Sequence, residues 1–459
     1  MENLTIINLC VCGILFCGVT EVADAQRRFQ KKEAKPVEIS TFVFADNLWE
    51  IKIADFEKNP ANKKFNFAWQ SSAKKGLRSE GAGFKMLGIK AGEAVIISND
   101  GKELKGMSIS FYNKGDDGAM SAVHFEKLVS NLKNKISEKL SSKPRTEENK
   151  GTVNLTRISW KSEGTSYRLE KSASAKGMPE FLRFRVMSTS TANRRETTAS
   201  RTSLRANVVK DKKTGDVYID NIPMVDQGKK GYCACASAAR IYQYYGRTTD
   251  QHEIAQLAGS SARGGTTLPE MVGSLKKVTS SLNSRVNILY EYPKGMSDGD
   301  PYSKKYESGV KEMMRDINSY QQLAKKKGTK GIPIKGEKEY ARIPHGYVLS
   351  FDYFIYKCDP KAFREVMMKK SSYSRFRNKI KEYIDQGIPV GWCLQLGLFA
   401  EKGLPQARGG HMRLIIGYND KKKELIYTDS WGEGHAKKSM DAGEAFCMTN
   451  ALLVLPPTK

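Results

Sequence analysis

The sequence predicts an α+β protein with two consecutive folded parts, the N-terminal half (residues 26–190) and the C-terminal half (residues 216–459). In the N-terminal half, short strand-like runs surround one long helical pattern, as in an antiparallel sheet covered by a helix. In the C-terminal half, helical patterns come first and strand patterns follow. The chain of 459 residues exceeds the usual size of one domain, and a hydrophobic content of 39% is enough for two cores.

Residues 1–25 have the pattern of a cleaved secretory signal peptide. An apolar stretch over residues 6–19 precedes Ala23-Asp24-Ala25, a small-x-small sequence that ends just before Gln26. The apolar stretch is too short for a comfortable membrane span. We therefore expect cleavage after Ala25, a mature chain without a transmembrane segment, and a secreted or periplasmic location.

The N-terminal half is expected to be a separate antiparallel α+β domain. Strand-like runs occur at residues 42–44, 49–53, 65–67, 94–97, 107–111, 155–160, 167–169 and 181–186. The helical pattern at 122–141 has one apolar face, which carries Phe125, Leu128, Leu132 and Ile136. No catalytic set of side chains occurs in this half, and the isolated His124 makes no metal site.

Residues 191–215 read as a polar linker between the two halves. The segment is rich in Thr, Arg and Lys and has few apolar residues. An exposed basic linker is also an easy site for proteolytic nicking. One hypothesis is therefore that the N-terminal half is released by cleavage within this segment.

A glutamine and a cysteine six residues apart form the centre of the C-terminal half. Cys233 begins an Ala-rich helical pattern that runs to Gly246, a residue suited to ending a helix. Backbone N–H groups at a helix N-terminus favour the thiolate, which is the form that a cysteine nucleophile requires. Gln227 lies on a Gly-rich turn, from which its amide can face an oxyanion. The alternative for Cys233 is an inert cysteine buried in a helix.

Near the C-terminus, two apolar runs around a polar turn predict a β-hairpin. His411 precedes the first run, and Asp429 follows the second, with the turn near Asp420. The hairpin brings His411 and Asp429 to the same end, within about a residue or two of facing each other. There the carboxylate orients the imidazole as a base. His345 is a weaker competitor because it lacks an acidic partner on a paired strand, and His435 reads as a loop residue.

The motifs around Gln227–Cys233, His411 and Asp429-Ser430-Trp431-Gly432 resemble those of the papain-like cysteine peptidases. Within that group the chain is most similar to the bacterial branch related to bacteriocin-processing, double-glycine leader peptidases. The resemblance covers about residues 219–456 and implies a helical left side, an antiparallel β right side and a cleft between them. One departure is that the second cysteine, Cys235, follows the expected nucleophile instead of preceding it.

The resemblance also implies a role for each motif residue. Cys233 is the expected nucleophile, His411 the general base, Asp429 its orienter and Gln227 the oxyanion donor. Trp431 would shield the His–Asp hydrogen bond from water. No metal or cofactor is implied.

The function implied by the resemblance is hydrolysis of peptide bonds in a protein or peptide substrate through a thioester acyl-enzyme. The same triad also permits acyl transfer to an amine or cleavage of a cell-wall peptide amide, because a triad specifies acyl chemistry and not the substrate. A catalytically silent binding module is a further alternative. For the N-terminal half three roles stay open, namely a propeptide that blocks the cleft, a substrate-recruiting module and an attachment module.

The net charge indicates which partners the chain can attract, and the cysteine count indicates whether it has free thiols. The formal net charge of +26 predicts attraction to an anionic envelope surface, although a solvated basic surface without a dedicated partner is the simpler interpretation. No nucleic-acid-binding motif accompanies the scattered lysines, so no specific nucleic-acid partner is expected. Removal of the signal peptide leaves an odd number of cysteines, which indicates at least one free thiol. Any pairing is left open among Cys235, Cys358, Cys393 and Cys447.

Overall fold

The fold is taken from a computed structural model in which the described residues are 34–457, except for positions 59, 66, 71–75, 80–81, 99–101, 151–152, 193–198, 229–230, 248–249, 259–266, 280–283, 334–339, 344–345, 350, 402–407 and 433. The predicted signal peptide and His345 lie outside the described residues. Within the described part of the chain, no helix is both long and apolar enough to cross a membrane.

The N-terminal half is built on an eight-stranded antiparallel sheet with strand order β2-β3-β6-β7-β11-β10-β9-β8. A smaller sheet has the order β1-β4-β5. The strands are β1 (Ala34–Glu38), β2 (Phe67–Trp69), β3 (Gly76–Ser79), β4 (Ala82–Met86), β5 (Ile89–Ala91), β6 (Glu93–Ile97), β7 (Gly106–Asn113), β8 (Arg145–Lys150), β9 (Asn154–Ser162), β10 (Thr165–Ala173) and β11 (Pro179–Ser188). The helices are α1 (Ser40–Val43), α2 (Ile53–Lys58), α3 (Lys114–Asp117), α4 (Ala122–Lys139) and α5 (Thr189–Ala192), with 3-10 turns at Leu48–Glu50 and Pro60–Phe65.

Helix α4 covers the larger sheet, as its apolar face predicted. Ser121 caps its N-terminus by accepting a hydrogen bond from the His124 backbone N–H at 3.3 Å. Trp160 on β9 donates its indole N–H to the Ser137 hydroxyl on α4 at 3.0 Å. The buried side chains that α4 turns toward the core are Phe125, Val129, Leu132 and Ile136. His124 itself is exposed, which agrees with its interpretation as a surface residue.

Two of the predicted N-terminal strands are helical turns instead. Residues 42–44 fall at the end of α1, and residues 49–53 span a 3-10 turn and the start of α2. Ile39, Phe42 and Val43 are buried at helical spacing. Phe42 and Val43, although adjacent in sequence, therefore both face the core. Such short apolar runs do not distinguish a strand from a buried helical turn.

The C-terminal half contains a second antiparallel sheet, with strand order β12-β13-β18-β17-β21-β14 and with β19 and β20 joined to it through β18. Its strands are β12 (Val208–Lys210), β13 (Val217–Ile219), β14 (Asn287–Glu291), β17 (Val390–Leu396), β18 (Gly409–Asn419), β19 (Glu424–Thr428), β20 (Lys438–Asp441) and β21 (Thr449–Val454), and a separate hairpin comprises β15 (Tyr340–Ile343) and β16 (Gly346–Leu349). The helices are α6 (Arg201–Arg205), α7 (Cys233–Tyr244), α8 (Gln251–Ala258), α9 (Leu268–Thr279), α10 (Lys304–Lys327), α11 (Phe351–Lys357), α12 (Pro360–Met367), α13 (Ser371–Ile384) and α14 (Ala442–Met448), with a 3-10 turn at Met296–Asp298. Both halves therefore combine helices with antiparallel sheets, which confirms the predicted α+β class.

The sequence around helices α11 and α12 predicts the start of α12 correctly and the conformation of α11 wrongly. Asp359 caps α12 by accepting a hydrogen bond from the Ala362 N–H at 2.8 Å, as expected for Asp before Pro. From its sequence the apolar, aromatic run 348–356 predicts one strand, yet β16 ends at Leu349 and helix α11 follows. The aromatic composition of that run favours a strand, but burial of Phe354, Ile355 and Cys358 follows one face of a helix.

Part of the predicted linker is folded against the C-terminal half. Helix α6 buries Leu204 to 1% exposure, and β12 pairs with β13. A Cβ atom on Gly387 would lie 2.1 Å from the Leu204 carbonyl oxygen, so the segment fits closely against the end of α13. Hydrogen bonds add to this packing, among them one from Asn207 Nδ2 to the Tyr244 hydroxyl at 3.1 Å, and the polar composition of the segment does not reveal these contacts.

A buried ion-pair network joins the two halves. Arg183 on β11 is 3% exposed and donates from Nε to Glu170 at 2.8 Å within its own half. On the C-terminal side, its Nη2 donates to Glu253 at 2.6 Å, and its Nη1 lies 3.1 Å from Asp250. Burial opposes ionisation of Glu170, but Arg183 and neighbouring arginines outweigh it and lower the pKa of this carboxyl to about 2.

Removal of the Arg183 charge is expected to destabilise the protein. In an Arg183→Met variant, the buried carboxylate of Glu170 and the partly exposed carboxylates across the interface lose their shared cation, and breaking a buried ion pair typically costs about 3–5 kcal/mol. Urea unfolding followed by circular dichroism measures this loss. The control is Arg145→Met, because the Arg145 side chain is 82% exposed beside Glu147 and an exposed pair contributes less than about 1 kcal/mol. Equal unfolding curves for the two variants would contradict the role of Arg183.

Candidate active site

Cys233 is the first residue of helix α7, as the sequence predicted. Tyr232 is the N-cap, and Gly246 follows the helix with a left-handed φ of 86°. The alanines allow the helix to pack closely on β18, where the Ser237 hydroxyl donates to the Met412 carbonyl at 3.2 Å. Cys233 is thus held at a buried helix N-terminus and is 7% exposed.

The predicted hairpin brings His411 and Asp429 together. His411 is the third residue of β18, and Asp429 directly follows β19, whose Thr428 pairs with Leu414. The His411 Nε2 and Asp429 Oδ1 atoms are 2.7 Å apart, and both side chains are almost completely buried.

The second ring nitrogen of His411 serves Cys233. Because Nε2 is engaged by Asp429, Nδ1 is the nitrogen left for the hydrogen bond that joins the imidazole to the Cys233 thiol. Burial opposes protonation of the ring, but the Asp429 carboxylate and the Cys233 sulfur outweigh it and raise the pKa of His411 to about 9. The folded protein therefore favours the imidazolium form.

The Asp429 carboxylate is fully buried and has three donors. Besides His411, Arg413 donates from Nε to Oδ2 at 2.6 Å, and the Ser430 backbone N–H donates to Oδ1 at 2.8 Å. Burial disfavours the ionised carboxylate, yet His411 and Arg413 hold its pKa well below the usual range. Asp429 is therefore a fixed negative charge that orients the imidazole.

Two buried arginines support Asp429, and the sequence reasoning missed both. Arg413 also donates from Nη1 to Glu401 at 2.7 Å, and its guanidinium lies 4.7 Å from the centre of the Tyr427 ring. Arg240 on α7 donates from Nη1 to the Asp429 carbonyl oxygen at 2.8 Å. The available signal was an arginine inside an apolar strand, two residues from His411, and another inside an Ala-rich helix.

Gln227 lies beside the same residues. Its backbone N–H donates to the Ser430 carbonyl at 2.9 Å, and the Ser430 hydroxyl donates to its Oε1 at 2.6 Å. Ser430 thereby fixes the orientation of the amide, with Nε2 on the opposite side from the hydroxyl. Gln227 is 4% exposed, so this orientation is held inside the protein.

Trp431 stacks on the His411 ring, with centroids 4.6 Å apart and planes inclined by 29°. The indole covers one face of the imidazole, which limits access of water to the His411–Asp429 hydrogen bond. His435 belongs to the loop after Trp431, and its carbonyl accepts a hydrogen bond from the Asp429 backbone N–H at 2.9 Å. Burial lowers the pKa of the His435 imidazole, and the ring packs edge-on against Trp431 with centroids 5.6 Å apart.

All five cysteines in the described part of the chain are free thiols and buried. Cys235, the possible competitor of Cys233, is 1% exposed. Burial raises the pKa of Cys358 to about 12 and raises those of Cys393 and Cys447 well above the usual value. Within the described residues, no cluster of three or more His, Cys, Asp or Glu side chains is placed to hold a metal ion.

Residues 319–449 match the Peptidase_C39 like family. The matched region contains His411 and Asp429, while Gln227 and Cys233 precede it. The match confirms the predicted cysteine peptidase. No curated protein matches the chain. The crystal structure of xylellain, a cysteine protease from Xylella fastidiosa, aligns with 57% of this chain and 91% of that chain at 13% identity with a TM-score of 0.22, and because that score is low the assignment rests on the family match.

Loss of Arg413 is expected to destabilise this cysteine peptidase. An Arg413→Met variant removes the guanidinium that the buried carboxylates of Asp429 and Glu401 share, and loss of one partner of a buried ion pair typically costs about 3–5 kcal/mol. Urea denaturation gives the free energy of unfolding. Arg377→Met is the matched control, because Arg377 pairs with Asp420 at the half-exposed turn of the same hairpin. An equal loss of unfolding free energy in both variants would show that the buried Arg413 pair stabilises the protein no more than an exposed pair does.

Proposed function

We propose that the protein hydrolyses peptide bonds through a Cys233–His411–Asp429 triad and a thioester acyl-enzyme. The observation that carries the proposal is the position of His411, which contacts Cys233 with one ring nitrogen and Asp429 with the other. Since the pKa of His411 is raised to about 9, the imidazole is protonated near neutral pH, and this is the partner that a cysteine nucleophile requires.

In the proposed reaction, the Cys233 thiolate attacks the carbonyl carbon of the scissile peptide. The negative charge that develops on the carbonyl oxygen is stabilised by the Gln227 side-chain amide and the Cys233 backbone N–H. The His411 imidazolium then gives its Nδ1 proton to the leaving amine as the carbon–nitrogen bond breaks. The products of this stage are the free amine and a thioester on Cys233.

Hydrolysis of the thioester returns the enzyme to its starting state. Neutral His411 accepts a proton from water, the resulting hydroxide adds to the thioester carbonyl, and the same oxyanion donors stabilise the second tetrahedral intermediate. Collapse of that intermediate releases the acid and the Cys233 thiolate. Throughout, the doubly held Asp429 carboxylate keeps the imidazole in the tautomer that presents Nδ1 to the sulfur.

We also propose that the protein acts outside the cytoplasm after removal of residues 1–25. The signal-like sequence supports this location. The net charge of +26 favours electrostatic attraction of the protein to an anionic envelope surface.

Labelling by an electrophilic cysteine-protease inhibitor is expected to give one adduct, on Cys233. The reason is that Cys233 alone pairs with His411, whereas Cys235 is buried in the helix. Intact-mass measurement of the exported protein gives the number of adducts and also shows whether the chain begins at Gln26. Cys233→Ala and His411→Ala should abolish labelling, and the matched control Cys235→Ala should keep it. Labelling that survives in Cys233→Ala would overturn the assignment of the nucleophile.

The raised pKa of His411 predicts a stability that depends on pH. A group whose pKa rises from 6.5 to about 9 on folding stabilises the protein fully below about pH 6.5, and this contribution is lost as pH rises through about 9. The thiol titrates together with His411, so the comparison is made without it: the advantage of Cys233→Ala over the double variant Cys233→Ala/His411→Gln in unfolding free energy should fall as pH rises from 6 to 10, because Asp429 still raises the pKa of His411. Urea unfolding of both proteins at several pH values measures the difference. Parallel pH profiles would mean that His411 is not protonated preferentially in the folded state.

A further inference from the structure

The N-terminal half reaches the loop that carries Gln227 through Arg78 on β3. Arg78 donates from Nη1 to Asp226 Oδ2 at 3.1 Å, and its Nε donates to Glu93 at 3.2 Å within the N-terminal half. The side chains of Arg78 and Asp226 are only 15% and 13% exposed. The residue immediately before Gln227 is therefore tied by an ion pair to the other half of the protein.

Arg78 also lies against the residue that follows Gln227. Gly228 has a φ of 64°, and a Cβ atom there would be 2.3 Å from Arg78 Nη2. The Gly228 N–H donates to the other oxygen of the Asp226 carboxylate at 2.8 Å, which closes a tight turn around Gln227. The guanidinium thus contacts both residues that flank Gln227.

A second contact from the N-terminal half reaches the residue before the nucleophile. The Tyr232 hydroxyl donates to Asn113 Oδ1 at 3.1 Å, and the Gly115 N–H donates to the same oxygen at 2.8 Å. The approach is close, because a Cβ atom on Gly115 would lie 2.4 Å from the Tyr232 hydroxyl oxygen. Tyr232 is the N-cap of α7, so this contact fixes the backbone that leads into the Cys233 N–H.

These two contacts meet the two backbone segments that supply the proposed oxyanion donors. We propose that the N-terminal half stays attached in the active enzyme and positions both oxyanion donors, the Gln227 amide and the Cys233 N–H, with Arg78 as the principal positioning residue. This inference rests on the proposed function. A preorganised donor stabilises an oxyanion far better than one that must first be ordered. A misplacement of about 1 Å typically costs about a hundredfold in rate.

The charge of Arg78 also affects the stabilisation of the oxyanion. Without the guanidinium, the Asp226 carboxylate would be an unneutralised negative charge next to Gln227, where it would oppose the oxyanion. The partly buried contacts of Arg183 with Asp250 and Glu253 hold the halves in the arrangement that keeps Arg78 in place. Release of the N-terminal half would therefore leave the Gln227 loop less ordered and would remove the positive charge that neutralises Asp226.

The test compares a reaction that forms an oxyanion with one that does not, in the full-length chain. Hydrolysis of N-benzyloxycarbonylglycine p-nitrophenyl ester passes through a tetrahedral oxyanion, whereas alkylation of Cys233 by iodoacetamide does not. Arg78→Met should lower kcat/KM for the ester by about tenfold to a hundredfold, mainly through kcat, while the rate of alkylation stays within about twofold of wild type. Arg78→Lys keeps the charge and should recover part of the loss, and the exposed control Arg145→Met should match wild type.

Each other outcome has a distinct meaning. Equal ester hydrolysis by wild type and Arg78→Met would overturn the positioning role alone, and faster hydrolysis by the variant would replace it with an inhibitory one. Parallel losses of ester hydrolysis and alkylation in Arg78→Met would reduce Arg78 to a structural residue. If Arg78→Met fails to fold, Asn113→Ala applies the same comparison to the Tyr232 contact. A wild type that neither is alkylated at Cys233 nor hydrolyses the ester would overturn the proposed function, and this inference with it.

Discussion

The buried carboxylate of Asp429 is the constraint on which the site depends. An ionised carboxylate without solvent is costly unless donors surround it, and Asp429 is fully buried. Arg413 meets that requirement only from the same face of β18 as His411, two residues away. The register of the hairpin is therefore fixed by charge as well as by apolar packing, because a slip of one residue would turn both side chains from Asp429.

The elements that carry the triad were predictable because their signals are local. An Ala-rich pattern beginning at Cys233 marks a helix start, and two apolar runs around Asp420 mark a hairpin. The supporting residues had no such signal. Arg240 and the Asp429 carbonyl are 189 positions apart in sequence, and a pair of that kind leaves no trace in periodicity or spacing. An isolated arginine in an apolar element indicates that a buried partner exists, but not which residue it is.

The difference between local and long-range signals also explains which elements of the fold could be predicted. Helix α4 and the central strands have long, regular patterns, and they form as expected. The turns around residues 42–53 and helix α11 are short and rich in aromatic residues, so composition favoured strands where packing selects helical turns. The segment 199–215 is ordered by tertiary contacts of Leu204 and the pairing of β12, which polar composition conceals. The function of the N-terminal half was likewise unreadable, since it contributes contacts and no motif.

The placement of β18 has a consequence for how the protein responds to heat. This strand pairs with β13, β17 and β19, so His411 lies on a central strand of the sheet, and strands of this kind typically open only when the surrounding core unfolds. The Gln227 turn lies outside this sheet and is held by its hydrogen bonds with Ser430 and by the contact of Asp226 with Arg78 in the other half. Moderate warming should therefore loosen this turn first, and the enzyme should lose activity reversibly at temperatures where its thiol–imidazole pair is still intact.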